Sequence, residues 1–431
     1  MVDKNYFLKS KIKNFLRKTE KYTKTDMVYI AQGGFWTLFS QVIGSLSSFA
    51  VVVILANILT KEDFGQYRFV ISIVSILIIF TLPGLSTSIT RSVARKQIID
   101  FSKIIKAKIY WGFIGSLATL LVAGYYFYNS NIEITYALIL SALFLPFIEP
   151  FAIYSAYFKG KQDFKTTAIY ESISRVFQAL VIIAIALITH SILALLSAYF
   201  IGQIIARLFF YRKTLKDEKT QNIEKVILEN KSDDTIKYGK HLSATQIINT
   251  ITANIDKLLV WHFLGAEILA IYYIALTIPK NIVLLCNIIP RIALPKFSQN
   301  TWDQEERTKV IKKLFKFFYI LIIPALMYFF LVPFVLPFIF KNYSTSVSIA
   351  IILSFLIILA PMNTMIGQIL QSMKSIKKII CLQIISLITF IATFFILYIV
   401  FGASPVVAAT ALVASEASAV LVGVFLIKKE L

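Results

Sequence analysis

The sequence predicts an all-α integral membrane protein, with twelve transmembrane helices arranged as two parallel-repeat six-helix bundles around a central cleft. Three observations carry this reading. Apolar runs of helix length recur along the whole chain, basic residues fall almost entirely on one side of them, and the first half of the chain is echoed in the second. Of 431 residues, 58% are hydrophobic and 16% charged, a balance that no single soluble core requires. A helix needs about 20 apolar residues to cross the hydrocarbon. Twelve runs meet that length, near 30–58, 67–89, 107–128, 134–157, 168–189, 192–211, 241–263, 268–294, 314–337, 346–370, 379–401 and 405–427. Unpaired backbone groups are intolerable in lipid and these runs exceed a barrel strand, which leaves helices.

Threading the runs back and forth puts Lys61, Arg68 and Lys341 on one face and leaves Arg175, Arg207, Lys257 and Lys280 within the runs, so that the remaining 37 of the 44 Lys and Arg share the other face. By the positive-inside rule that face is cytoplasmic and holds both termini. The formal charge of +21 is then expected to answer an anionic leaflet rather than nucleic acid. In segment 1–28, Leu8, Ile12, Phe15 and Tyr22 fall on one helical face among lysines, the pattern of an amphipathic helix on the cytoplasmic surface. That stretch has no apolar core of the kind a cleavable signal needs. Cys286 and Cys381 lie in apolar runs without CxxC spacing and read as packing residues.

The longest basic connection, 212–240, mixes both charge signs and reads as a solvated linker. It divides the chain into a terminal segment 1–28, a bundle 29–211, a linker 212–237 and a bundle 238–431. A shift of 205 residues carries Ser40, Gln41, Gly44, Ser45, Ser47 and Ser48 onto Thr245, Gln246, Asn249, Thr250, Thr252 and Ala253. At about 3.6 residues per turn these form one polar face on the first and the seventh helix. The same shift carries Leu59, Glu62 and Tyr67 onto Leu264, Glu267 and Tyr272 at the turn that follows. With an even number of helices per half the repeat is parallel, and polar faces that are costly against lipid are expected to line a cleft between the halves.

The turn from Ile58 to Tyr67 (Ile-Leu-Thr-Lys-Glu-Asp-Phe-Gly-Gln-Tyr) resembles the "leucine, two residues, acidic, acidic, Phe-Gly-x-Tyr" signature of polysaccharide biosynthesis flippases. Pro83-Gly84-Leu85 through Thr90-Arg91, Ala94-Arg95-Lys96, Asp256-Lys257-Leu258-Leu259 and Pro290-Arg291 also fit. The family is that of the Wzx-type transporters, within the multidrug/oligosaccharidyl-lipid/polysaccharide superfamily, and the resemblance spans essentially the whole chain. It implies translocation of an undecaprenyl-pyrophosphate-linked glycan across the bacterial inner (cytoplasmic) membrane, with the polysaccharide polymerase machinery as a partner. Peptidoglycan-lipid flippases of similar fold usually carry two further helices. Twelve helices therefore favour an O-antigen, capsule or exopolysaccharide unit.

An anionic headgroup needs cations along its path. Tyr273, Lys280, Asn287 and Arg291 share a face of the eighth helix, and Lys280 lies near mid-membrane, where lysine is rarely tolerated and serves either an anionic ligand or a structural ion pair with Asp256 or Glu416. Lys257, Arg68 and Arg291 are further candidates for the pyrophosphate, and Gln41, Gln246 and Asn249 for the glycan. Asp256 continues the stripe Thr245-Asn249-Thr252. It is either a site for a coupling proton or sodium ion or a carboxylate balanced by Lys257. Glu149 and Glu416 are lone acids at depth and share that candidacy, whereas Glu171 and Arg175 are spaced as a local ion pair. His190, His241 and His262 lack metal-ligand spacing and no Walker A sequence occurs, so neither a metal, a cofactor nor an ATP motor is expected. A membrane glycan polymerase would need a larger outer loop than any here. A multidrug or cation antiporter remains the alternative, with a pocket expected to favour acids over bases.

Overall fold

The computed structural model describes residues 27–97, 99–221, 232–290, 302, 304–373 and 375–428. The amphipathic segment expected over 1–28 and the candidate Arg291 lie outside the described residues, apart from the helical residues 27 and 28. All regular structure among the described residues is helical. The first lobe comprises α1 (Met27–Ile58), α2 (Lys61–Leu77), α3 (Gly84–Ala94), α4 (Phe101–Tyr128), α5 (Ile132–Ile148), α6 (Ile153–Gly160), α7 (Phe164–Ile188) and α8 (Ile192–Gln221). The second comprises α9 (Ser232–Thr252), α10 (Ile255–Leu264), α11 (Ala266–Cys286), α12 (Gln304–Ile339), α13 (Ser346–Ile352), α14 (Leu356–Ser372), α15 (Ile376–Phe401) and α16 (Pro405–Lys428). Helix thus enters the expected linker from both sides, to Gln221 and from Ser232.

Eleven helices among the described residues are long and apolar enough to cross a bilayer. The remaining run of the twelve is divided into α9 and α10 at Ala253 and Asn254, so neither piece qualifies alone. Three other runs break without losing their path. α2 and α3 meet at Leu82 and Pro83, with Leu82 left-handed at φ 55°. α5 and α6 meet at Glu149 and Pro150 through a 3-10 turn, and α13 joins α14 through another. Polar side chains start the helices that begin in water: Thr60 accepts from the Asp63 N–H, Asp100 from Ser102 and Lys103, and Asp163 from Thr166. Gly265, at φ 90°, makes the sharp corner between α10 and α11 that a side chain would strain. Large apolar side chains such as Phe330, Phe334, Phe338 and Ile399 point outward and exposed, as a lipid-facing surface requires.

The core is shared at one end of the molecule and divided at the other. In the half that carries the short loops, one apolar cluster runs through both lobes, from Leu55, Phe64 and Val70 to Leu269, Tyr272 and Leu353. In the half that carries the long basic loops there are two clusters. One is built on Leu85, Ile104 and Ile153 in the first lobe, the other on Leu314, Ile366 and Ile427 in the second.

Specific contacts reinforce the joined end. Lys61 pairs with Glu267 at 3.2 Å, and Asn57 donates to the Ile339 carbonyl at 2.9 Å while accepting from the Lys341 N–H. A Cβ on Gly65 would lie 2.0 Å from the Ala266 carbonyl oxygen, so the two lobes touch backbone to backbone there. At the basic end the lobes meet along one flank, α3 against α9. The Gly84 N–H donates to Ser243 Oγ at 3.0 Å and Ser88 donates to the Thr235 carbonyl at 2.6 Å. Replacement of Gly65 by valine is expected to cost about 1–3 kcal/mol of the joined state. The check is the yield of cross-linking by a short bifunctional maleimide between cysteines placed at Lys61 and Glu267, whose side chains meet at 3.2 Å, which should fall several-fold relative to the parent glycine protein.

Candidate functional site

Where the two basic-end clusters separate, the lobes enclose a cavity of about 930 Å³. Its walls come from α1, α2, α3, α6, α7 and α8 on one side and from α10 and α11 on the other. Six basic side chains line it, Arg68, Lys159, Arg175, Arg207, Lys257 and Lys280, against two carboxylates, Glu149 and Glu171. All four basic residues that the sequence places inside apolar runs therefore face this one space. Around them are Ser45, Ser47 and Ser48 of α1 with Gln178 and Asn281, side chains suited to hydroxyl-rich ligands.

α11 gives the second lobe's wall. Tyr273, Thr277, Lys280 and Leu284 recur three, four or seven apart on one helical face. Pro279 lies inside this helix without ending it. Lys280 is exposed into the cavity, beside Lys257, and makes no ion pair within 4 Å among the described residues.

Two of the helix breaks serve the basic groups. At the first, the Ala152 N–H turns to the Glu149 carbonyl in the 3-10 turn, which frees the Ile148 carbonyl. Arg207 donates to that carbonyl and to Glu149 Oε1 at 2.8 Å. Behind them Lys108 is fully buried and donates to the Glu149 backbone carbonyl at 3.5 Å. At the second, the Lys257 N–H bonds to Asn254 instead of Ala253, and the Lys257 ammonium donates to the freed Ala253 carbonyl at 2.8 Å. Irregular backbone at membrane depth is tolerated where it borders a cavity and its polar groups find such partners.

Several expected placements differ. Asp256 does not continue the polar stripe of the seventh helix, because the break at Ala253 and Asn254 resets the register. It is 3% exposed, accepts from Tyr272 at 3.0 Å and pairs with Lys257 at 2.8 Å, so Lys257 faces the cavity and Asp256 stands behind it. Glu171 turns away from Arg175 to Lys159 at 2.9 Å and to Ser155, with Ser40 donating at 3.4 Å. Arg175 instead lies across Gly44, where a Cβ would collide with its guanidinium, and has no carboxylate within 4 Å among the described residues.

Gln41, Gln246 and Asn249 lie off the cavity; the helix that carries the last two, α9, packs on α3. Asn287 lies off it too, with its side-chain oxygen buried and unpartnered. Glu416 is held inside the second lobe by Asn363 at 3.0 Å. Arg68 does line the cavity, at its joined end. The residues that spacing alone had not gathered are Lys108, Lys159, Arg175 and Arg207. For Arg175 and Arg207 the signal was present, as arginine inside an apolar run.

A family profile described as "polysaccharide biosynthesis protein" matches residues 30–301. The chain belongs to this family. Within the polysaccharide biosynthesis proteins it is similar to a putative O-antigen transporter of Shigella flexneri, 24% identical over 324 residues, which cover 69% of this chain and 73% of the relative. It is also similar to the teichuronic acid biosynthesis protein TuaB of Bacillus subtilis, 37% identical over 71 residues, 16% of this chain and 15% of that protein. In fold it matches the lipid II flippase MurJ in an inward closed conformation, with TM-score 0.70 and 15% identity, covering 93% of this chain and 88% of that one. It also matches a MATE transporter in complex with MaD5, with TM-score 0.64 and 14% identity over 93% and 94% of the two chains. The family is one of polysaccharide biosynthesis, and the fold is shared with proteins described as a lipid flippase and a transporter.

For this polysaccharide biosynthesis protein the geometry separates structural from ligand-facing charge. Asp256→Asn is expected to cost about 3–5 kcal/mol of stability, because it strands a buried lysine. Lys280→Gln is expected to cost less, about 1 kcal/mol or below, because Lys280 makes no ion pair within 4 Å among the described residues. Thermal unfolding of both variants in detergent measures the contrast.

Proposed function

We propose that this protein is a flippase that carries an undecaprenyl-pyrophosphate-linked oligosaccharide unit across the bacterial inner membrane by alternating access. The observation that carries the reading is the unmatched positive charge of the cavity. Arg207, Lys159 and Lys257 each have a carboxylate within 3 Å, whereas Arg68, Arg175 and Lys280 have none within 4 Å among the described residues. Three cations without an ion pair among the described residues, gathered in one half-open cavity, favour an anionic headgroup, and a pyrophosphate diester supplies charge and acceptor oxygens together. The serines and amides around them suit the hydroxyls of the attached sugars.

The membrane-bound tail also has a route. α1 and α11 line the cavity from opposite lobes, and both carry exposed apolar residues beyond it, Phe39 and Leu46 on one and Leu285 on the other. A polyprenyl chain can stay in lipid between these helices while its head enters the cavity. With the basic loops in the cytoplasm, a core joined at the short-loop end and parted at the other corresponds to a state that receives substrate from inside. Rocking of the two lobes, 29–211 against 238–431, then exposes the head on the outer side. A proton or sodium ion could drive the motion through Glu149, whose pairing with Arg207 borders the cavity. O-antigen, capsule or exopolysaccharide units are the proposed cargo, delivered to a polymerase that consumes them. The same charge excess opposes the cationic compounds an antiporter of this fold would hold.

The test is glycan export in a bacterial strain that lacks its own flippase. Wild type is expected to restore export. Lys280→Ala and Arg175→Ala, at equal protein levels, should each lower it about tenfold or more, the loss expected for one charge-assisted contact to a phosphate. Lys280→Arg should retain most of it. Export undiminished in both alanine variants would remove the assignment, as would drug resistance without export by the wild type.

A further inference from the structure

At the joined end of the cavity, Arg68 is placed as few buried arginines are. It is only 9% exposed and lines the cavity, yet no carboxylate lies within 4 Å among the described residues, and its Nε is buried without a hydrogen-bond partner. Its guanidinium lies instead over aromatic rings. Tyr273 of the opposite lobe is at 4.2 Å, with Phe64 at 5.0 Å and Tyr67 at 5.4 Å. These rings plug the joined end, and beside them are two more buried polar atoms without partners among the described residues, Gln66 Oε1 and the Tyr343 hydroxyl. Phe64 meets Tyr273 and Tyr343 edge to face across the lobe boundary. Buried donors and acceptors are normally satisfied, so a plug with three orphaned groups is held closed at a cost and is poised to rearrange.

The ring face attracts a cation more weakly than a phosphate oxygen does, because the phosphate carries a full charge and accepts the N–H bonds that the ring leaves unmade. Tyr273 is seven residues, about 10 Å along the helix, from Lys280 on the same face of α11. A headgroup bound at Lys280 therefore sits two turns below the contact that joins the lobes.

We propose that Arg68 is a ligand-operated latch: an anionic phosphate group in the cavity draws its guanidinium off Tyr273 and so unlocks the joined end of the two lobes. The inference deepens the flippase reading and rests on its anionic headgroup. It makes the cargo's own charge the signal for opening, so that an empty cavity stays sealed on the short-loop side. Arg68 acts here as a positioning residue for the lobe interface as well as a phosphate contact.

The test is a distance measurement across the joined end. Spin labels are attached at Glu62→Cys and Ser344→Cys, both exposed and on opposite lobes, in a Cys286→Ser, Cys381→Ser background. The protein is held in lipid nanodiscs and titrated with inorganic pyrophosphate. The latch predicts one short distance without pyrophosphate and at least half the population at a longer distance at saturation. Tyr273→Leu should show the longer distance without any ligand, and it leaves Arg68 intact should Arg68→Gln fold poorly. Arg68→Gln should lose the response to pyrophosphate at least fivefold, and Arg68→Lys should restore part of it. A wild type that never shifts, or an Arg68→Gln protein that shifts as the wild type does, overturns the latch. A protein that opens on pyrophosphate but exports no glycan keeps the latch and loses the flippase reading; the converse loses the latch alone.

Discussion

Charge held at membrane depth must find water, an opposite charge or an aromatic face, since acyl chains offer none of these. The arrangement of this protein follows from how its buried basic groups meet that demand. Arg207 and Lys257 each take a carboxylate and a backbone carbonyl released by a broken helix. Lys159 takes Glu171, and Arg68 takes three rings. Arg175 and Lys280 are exposed toward the cavity. The cavity is the place where these demands are met together, and its walls set charged and polar side chains among apolar ones.

The helix breaks are part of the same solution. A continuous helix satisfies its own carbonyls and leaves none for a side chain. The turn at Glu149 and Pro150 and the turn at Ala253 and Asn254 each release one, and an arginine or a lysine occupies it. The breaks also let the lobes bend. The core is single on the short-loop side and double on the basic-loop side, so a change in lobe angle would separate one shared cluster and bring two lobe-specific ones together. Packed cores of this kind favour two discrete arrangements over a continuum, which is the property a transporter of alternating access needs.

The two halves are related but do not contribute equally. The small polar face of α1 opens onto the cavity through Gly44, Ser45, Ser47 and Ser48. Its counterpart on α9 stays off the cavity, with Thr245 and Asn249 exposed, while α9 packs on α3 through Gly239, Ser243 and Thr235, the last two accepting from the first lobe. The second lobe supplies its wall from α11 instead, and its acids, Asp256 and Glu416, are held inside it by Tyr272 and Asn363. The two walls therefore differ, with hydroxyls concentrated on one and, on the other, a lysine without an ion pair among the described residues.

The sequence alone determined the membrane, the helices and the rarity of charge within them. Hydrophobic length and the cost of bare backbone in lipid are local properties, so a linear reading recovers them. It also marked Arg175, Arg207, Lys257 and Lys280 as exceptional, because any basic residue inside an apolar run is exceptional wherever it points. Only the tertiary structure decided what those residues do. Glu149 finds Arg207 across 58 positions of sequence, Glu171 prefers Lys159 to the arginine one turn away, and Asp256 retreats behind its neighbour where the helix breaks. Partner choice at depth depends on which side chains converge after the helices pack, and a broken helix shifts every facing that periodicity assigns beyond it.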